Sequence, residues 1–163
     1  MSVEAREAAV GRVQEEMRAV VHRAKRVIGT RAHAVHPALQ GASYLLLGWL
    51  TGREPLRASA IVEALGSDKG ALSRQLQHLE ELGLVERTPD PSDRRATLVS
   101  VTADARLRLA EIDDHEARRL CERLAEWSVG DLDDLADRIA RYNRALAEIG
   151  ENAVVSPPVT TYR

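Results

Sequence analysis

The chain has 163 residues, enough for one domain or two small lobes sharing a core, and 44% of them are hydrophobic. Its net charge of −2 excludes a protein that coats nucleic acid indiscriminately, but not one whose positive charge is gathered on one face. With 3% aromatics and no Phe the core must be aliphatic, and the single cysteine, Cys121, excludes an intramolecular disulfide.

The expected compartment is the cytoplasm, with no membrane partner. The first residues lack the basic and apolar regions of a signal peptide. The longest apolar run, Tyr44 to Leu50, is far too short to span a bilayer.

Val10, Val13, Met17, Val20, Ala24 and Val27 alternate spacings of three and four, one apolar stripe on a first helix. The segment alone leaves two readings of that stripe even: it packs on its own domain, or on a second subunit. Gly29 to His36 is expected to break the helix. Pro37 suits the first position of the next helix, where its missing N–H costs nothing, and that helix runs to about Leu50. Tyr44 to Leu50 is almost wholly apolar, which marks central core. Gly52 ends the helix and Pro55 prevents continuation.

Leu56-Arg57 reads as a short strand. Ser59 is the expected N-cap of a helix from Ala60 to Leu65, with Ile61, Val62 and Leu65 facing inward, closed by Gly66. Ser67 or Asp68 caps the following helix, which runs to Leu82 with Leu72, Leu76, Leu79 and Leu82 as its buried stripe. Gly83 is a left-handed stop. Two short helices joined by a tight Gly-containing turn have the spacing of a helix-turn-helix. Leu84 to Arg87 and Ala96 to Val101 then read as two strands around a polar loop with two prolines, Thr97, Val99 and Val101 sharing one face. A helix-turn-helix followed by a hairpin is a winged helix, a far more specific pattern than either part.

Thr102 is the expected N-cap of a long helix to about Trp127, with Asp104 in its first turn and Leu109, Ile112, Leu120, Leu124 and Trp127 roughly on one face. Ser128-Val129-Gly130-Asp131 has the form of a capping box with Asp in the Glu position. The last helix carries the cleanest stripe: Leu132, Leu135, Ile139, Tyr142, Leu146 and Ile149. After Gly150 the tail, with Pro157-Pro158, is expected to be extended or disordered.

Leu84-Val85-Glu86-Arg87, Pro91-Ser92-Asp93-Arg94-Arg95 and Val99-Ser100-Val101-Thr102 together resemble the wing signature of the MarR-type transcriptional regulators. Leu79-Glu80-Glu81-Leu82-Gly83 is similar to the end of their recognition helix, and Ser73-Arg74 stands where the family usually carries its Ser-Arg pair. The resemblance is specific from Leu56 to Thr102 and extends more loosely to the order of helices. It implies a mainly α fold with a small β-hairpin wing. Residues 37–102 would form a winged helix-turn-helix that includes a core helix at 37–50. Residues 1–36 and 103–150 would form a helical dimerisation lobe, with 151–163 as a tail.

That resemblance implies a homodimer on double-stranded DNA, and it moves the Val10–Val27 seam toward an intersubunit role. The function it implies is sequence-specific transcriptional regulation, as a homodimeric repressor of a pseudo-palindromic operator released by a small-molecule effector. The alternative is a winged-helix protein used for protein–protein contact without DNA binding. An enzyme is not expected, because the chain has no nucleophile motif, Gly-rich phosphate loop or metal-ligand spacing.

In this reading Lys69, Ser73 and Arg74 meet DNA from the recognition helix, Lys69 and Arg74 at phosphates or guanine. Gln75, Gln77 and His78 meet bases or backbone. Gly70-Ala71 stands where relatives often have small hydroxyl residues or Pro, so readout leans on those three and on DNA shape. Arg95 is most like the family's minor-groove arginine, which exploits the negative potential of narrow A·T-rich grooves. Asp93 is expected to orient its guanidinium, and Arg94 to meet phosphate. The bland alternatives are an ion pair of Arg74 with Asp68 or Glu80, and a flexible charged turn.

His33, His36, Tyr44 and Trp49 lie in or near the helix beside which relatives place a ligand cavity, although core packing explains the two aromatics equally well. Cys121 is expected to be a buried, inert thiol. No cofactor and no metal is expected, since His33 and His36 with Glu111 or His115 match no recognised zinc spacing.

Overall fold

The computed structural model describes residues 2–147, apart from the side chain of Arg94. In chain order the elements are α1 (Val3–Val35), α2 (Gly41–Thr51), β1 (Leu56–Arg57), α3 (Ala58–Leu65), α4 (Lys69–Glu81), β2 (Val85–Asp90), β3 (Asp93–Val101), α5 (Ala103–Arg123) and α6 (Val129–Ala147). The strands form one antiparallel sheet in the order β1-β3-β2.

α1 does not break at Gly29. A glycine inside a helix costs only about 1 kcal/mol relative to Ala. Continuing the helix buries Ala32 and Val35 in the core, which outweighs that cost. Pro37 does not start the next helix either. It lies in a turn in which the N–H of Leu39 donates to the carbonyl of His36, and the His36 ring accepts the N–H of Ala38 at 3.1 Å. α2 starts at Gly41, where a side chain would come within 3.1 Å of Ile28 on α1, so the close crossing of the two helices favours glycine there.

α2 is the central helix: Tyr44, Leu46, Leu47 and Leu50 are buried. Leu45, however, is 41% exposed, so the helix has one open face. In one core with it lie Ile61 of α3, Leu72, Leu76 and Leu79 of α4, Leu84 just before β2, Val99 and Val101 of β3, and Ala105 and Leu109 of α5. This core is almost wholly aliphatic, as the composition required. Truncating Leu76, which is fully buried, would cost roughly 2–5 kcal/mol.

α3 begins two residues earlier than its sequence signal, at Ala58, because Arg57 in extended backbone precedes it and Ser59 lies exposed in the first turn. Gly66 and Gly83 both have positive φ, at 57° and 68°, and stop α3 and α4 as expected. Thr102 caps α5, accepting the N–H of Ala105 while its hydroxyl donates to the Gly83 carbonyl at 2.9 Å. One side chain thus ties the end of α4 to the start of α5.

α5 ends at Arg123 rather than near Trp127, because a turn follows Leu124 and sets up the next cap. That cap is the expected box. Ser128 Oγ accepts the N–H of Asp131, and the Asp131 carboxylate accepts the N–H and hydroxyl of Ser128. Those bonds hold the Asp131 carboxyl below its ordinary pKa. Leu109 is buried and Ile112 packs on the core, but Leu120 and Trp127 are 58% and 45% exposed. No residue of α6 is buried within the protomer. Ile149 and the tail from 150 onward lie outside the described residues.

Candidate nucleic-acid interface

The burial of Leu72, Leu76 and Leu79 fixes the rotation of α4. Its opposite face therefore presents Gly70, Ala71, Ser73, Arg74 and Gln77, all exposed, with Lys69 at its N-terminal edge. Asp68 caps the helix, its carboxylate accepting the N–H of Ala71 at 2.8 Å.

Arg74 makes no ion pair or hydrogen bond among the described residues. The acidic groups considered for it are engaged elsewhere: Asp68 in the cap, Glu80 with Arg87 of β2 at 2.8 Å. The Arg74 guanidinium reaches back over the first turn to 4.0 Å from where a Gly70 side chain would stand. The bare Gly70-Ala71 surface therefore keeps the arginine and the backbone accessible.

The other positions divide. Gln77 donates to Glu81 at 3.0 Å. Gln75 is half-buried at the margin of the core stripe. His78, also half-buried, lies between the Ala38 carbonyl at 3.4 Å and Glu81 at 3.9 Å, on the flank turned toward the α1–α2 connection. Of the residues read from the sequence, Lys69, Ser73, Arg74 and Gln77 share the open face. Gln75 and His78, three apart and so neighbours on the helix surface, sit along one edge of it.

The hairpin is longer than its sequence signal and carries an irregularity that the sequence did not reveal. Pro89 pairs with Thr97, while the next residue, Asp90, pairs with Asp93. Arg94, Arg95 and Ala96 therefore have no partner on β2 and form a bulge, a device that re-aims side chains out of the regular pleat. Arg95 is exposed, and its guanidinium has no partner among the described residues. Asp93 supports it differently from the expectation: its carboxylate accepts the backbone N–H of Arg95 at 3.0 Å rather than holding the guanidinium. The side chain of Arg94 lies outside the described residues.

Asp90, which carried no assigned role in the sequence, anchors the turn. It is 6% exposed; Oδ2 lies 2.6 Å from Nε and Nη2 of Arg57, and Oδ1 accepts the N–H and hydroxyl of Ser92 at 2.7 Å each. The Ser92 bonds, then those from Arg57, lower its pKa from 3.8 to about 2. A Pro-Ser turn after an Asp was the only available signal, an Asx-type turn in prospect.

His33, His36, Tyr44 and Trp49 are not gathered around one cavity. His33 is exposed on α1 and Tyr44 is in the core. Arg53 stacks over the Trp49 ring at 3.8 Å and also donates to the Trp49 carbonyl. A groove of about 650 Å³ lies instead between α1 and α5, lined by Arg23, Arg26, Arg31, Arg119, Arg123, Glu116 and the apolar Val27 and Leu120. Arg31 bridges its inner end to Asp113 and Glu116 at 3.7 and 3.6 Å. Burial raises the pKa of Asp113, Arg31 opposing and Asp114 adding to the shift.

Cys121 is exposed rather than buried, since the α5 face that carries it and Leu120 has no covering element in the protomer. Among the described residues no three His, Cys, Asp or Glu side chains are placed to hold a metal, and no helix is long and apolar enough to cross a membrane.

An exposed helix and a wing, each carrying an arginine with no partner among the described residues, give this winged helix a surface of the kind that DNA-binding regulators use. Comparison with known proteins agrees. Residues 39–96 match the sequence model described as the MarR family. The chain is 32% identical over 110 residues to the uncharacterized HTH-type transcriptional regulator YxaD of Bacillus subtilis, an alignment spanning 68% of this chain and 77% of that protein. Its fold matches the MarR family transcription regulator SP03579 with a TM-score of 0.76 at 17% identity, covering 92% of this chain and 98% of the other. It matches Streptococcus pneumoniae FabT, crystallised in complex with DNA, with a TM-score of 0.73 at 13% identity, covering 86% and 99%. The chain belongs to the MarR family of transcriptional regulators.

Proposed function

We propose that this regulator acts in the cytoplasm as a homodimeric repressor of a pseudo-palindromic operator and is released by a small-molecule effector. The observation that carries the DNA contact is the pair of arginines, Arg74 on α4 and Arg95 on the wing bulge. Both are presented outward with no protein partner among the described residues. α4 enters the major groove, where Lys69, Ser73, Arg74 and Gln77 meet bases and phosphates, with Gln75 and His78 along one margin. Arg95 enters the flanking minor groove, Asp93 holding its backbone, and Arg94 meets phosphate. FabT, of the same fold, forms a DNA complex.

The dimer reading, with residues 1–36 and 103–150 as the dimerisation lobe, is supported by what the protomer leaves uncovered. Val10, Val13, Val20 and Val27 of α1, Leu120 of α5, and Leu135, Ile139 and Leu146 of α6 are all 40% exposed or nearly so. A chain that buried none of these would expose more apolar surface than a soluble monomer ordinarily tolerates. Charge matches as well: the first half of α6, with Asp131, Asp133, Asp134 and Asp137, offers a second copy the opposite sign to the arginine-rich groove of α1 and α5. An effector that binds between the lobes would change the separation of the two α4 helices.

The test begins by selecting bound DNA from a random pool. The expected product is a pseudo-palindrome with half-sites about one helical turn apart. Affinity for it should fall steeply with salt, by about 0.9 in log–log slope per phosphate neutralised. Absence of salt-dependent binding would instead favour protein–protein contact as the role of the winged helix. Screening metabolites for release of the selected DNA then identifies the effector.

A further inference from the structure

Arg57 lies outside the surfaces described above, yet it joins two of them. It belongs to β1, pairs with Leu98 of β3, and is the residue from which α3 starts. Its guanidinium reaches the far end of β2: Nε and Nη2 each lie 2.6 Å from Asp90 Oδ2, and Nη2 donates to Ser92 Oγ at 3.2 Å. Asp90 Oδ1 takes both Ser92 donors. One side chain therefore links the start of the helix-turn-helix to the turn of the wing.

We propose that Arg57 is a positioning residue for DNA recognition, clamping the wing turn through Asp90 and Ser92 so that the bulge presents Arg95 at a fixed distance from α4. The inference rests on the reading of Arg95 as a DNA contact.

The sheet explains why a clamp is needed. β1 has only two residues, so beyond its pairing with Val99 and Leu98 the wing is a two-stranded ribbon. A two-stranded hairpin is marginally stable in water. This one is weaker still, because Pro89 has no N–H to donate and the pairing is broken where Arg94, Arg95 and Ala96 bulge out. The clamp ties the end of that ribbon, where Asp90 pairs with Asp93 beside the bulge, back to β1. Asp90 is buried and engaged on both oxygens, while the Arg57 side chain is 41% exposed and rooted in β1. The wing is thereby ordered before DNA arrives, which removes an ordering cost from binding.

The experiment is a double-mutant cycle on the full-length protein with the selected operator, titrated by gel shift at fixed salt, with hydroxyl-radical footprinting of the minor groove. Arg57→Ala should weaken binding roughly tenfold and weaken the wing's flanking protection while keeping protection at the α4 half-sites. In the Arg95→Ala background the same change should cost less than about twofold, because a misplaced wing without its arginine has nothing left to lose. A residue that merely stabilises the fold would lower affinity equally in both backgrounds.

Melting curves establish that Arg57→Ala is folded. If it is not, Ser92→Ala, which removes only the exposed hydroxyl bridge, takes its place in the cycle with the same expected non-additivity. Wild-type affinity for the clamp variant, or losses that simply add to those of Arg95→Ala, would overturn the clamp and leave the wing contact standing. Wild-type affinity for Arg95→Ala itself would overturn both.

Discussion

Replacing Arg95 by Ala separates DNA contact from fold more cleanly than any other single change. Arg95 is exposed, its guanidinium has no partner among the described residues, and its place in the bulge is held by its own backbone N–H on Asp93. Truncation orphans no buried group, so stability should change by no more than about 0.5 kcal/mol. On DNA the loss is that of a charge-assisted contact, about 1.5 kcal/mol per wing. A symmetric dimer loses it twice, so about 3 kcal/mol, on the order of a hundredfold in Kd. The assay is fluorescence anisotropy on the selected operator at fixed salt, beside a thermal melt and a sedimentation run on the same preparation. Arg95→Lys is the companion, since it keeps the charge but loses the planar fork and should fall between the two. Unchanged affinity for Arg95→Ala, with melt and mass intact, would refute the reading of the wing. Loss of affinity together with a large fall in Tm would show that Arg95 serves the fold.

Asp68→Ala should lower stability by about 1 kcal/mol through loss of the α4 cap, whereas Asp68→Asn, an equally good cap, should leave Tm unchanged; equal melts for all three proteins would remove the cap from the account. Asp90 titrates with a folded pKa of about 2 against an ordinary 3.8, so its stabilisation is fully present above the higher value and is lost as pH falls through the lower one. Denaturation of wild type and Asp90→Asn should accordingly differ by a constant amount at neutral pH and converge as the acid is approached; a difference that ignores pH would contradict the clamp's ionic character. Ile139→Asp places a charge on an α6 surface that is open in the protomer, so light scattering should report a folded monomer with weakened operator binding, and a mass that stays dimeric would move the interface elsewhere.

The winged helix was legible because each of its parts has a local cause. Gly66 and Gly83 supply the left-handed stops, Asp68 and Thr102 the caps, and the leucines at 72, 76 and 79 the buried stripe that turns Arg74 outward. The capping box at Ser128 and Asp131 is likewise a matter of residues three apart. These features depend on neighbours in sequence, where propensity and periodicity act. The path of α1 through Gly29 and the turn at Pro37 are not legible in sequence for the converse reason: burial of Ala32 and Val35 against distant helices overrides a weak local breaker.

The amino-acid sequence by itself determined an aliphatic core, the order of helices, the helix-turn-helix with its wing, and the residues that wing carries. Tertiary structure alone decided how the wing is held. The bulge at Arg94, Arg95 and Ala96 exists only because Pro89 registers with Thr97, and Arg57 meets Asp90 across thirty-three positions of sequence. Strand register and such a distant ion pair are set by packing over the whole sheet, which no window of sequence contains.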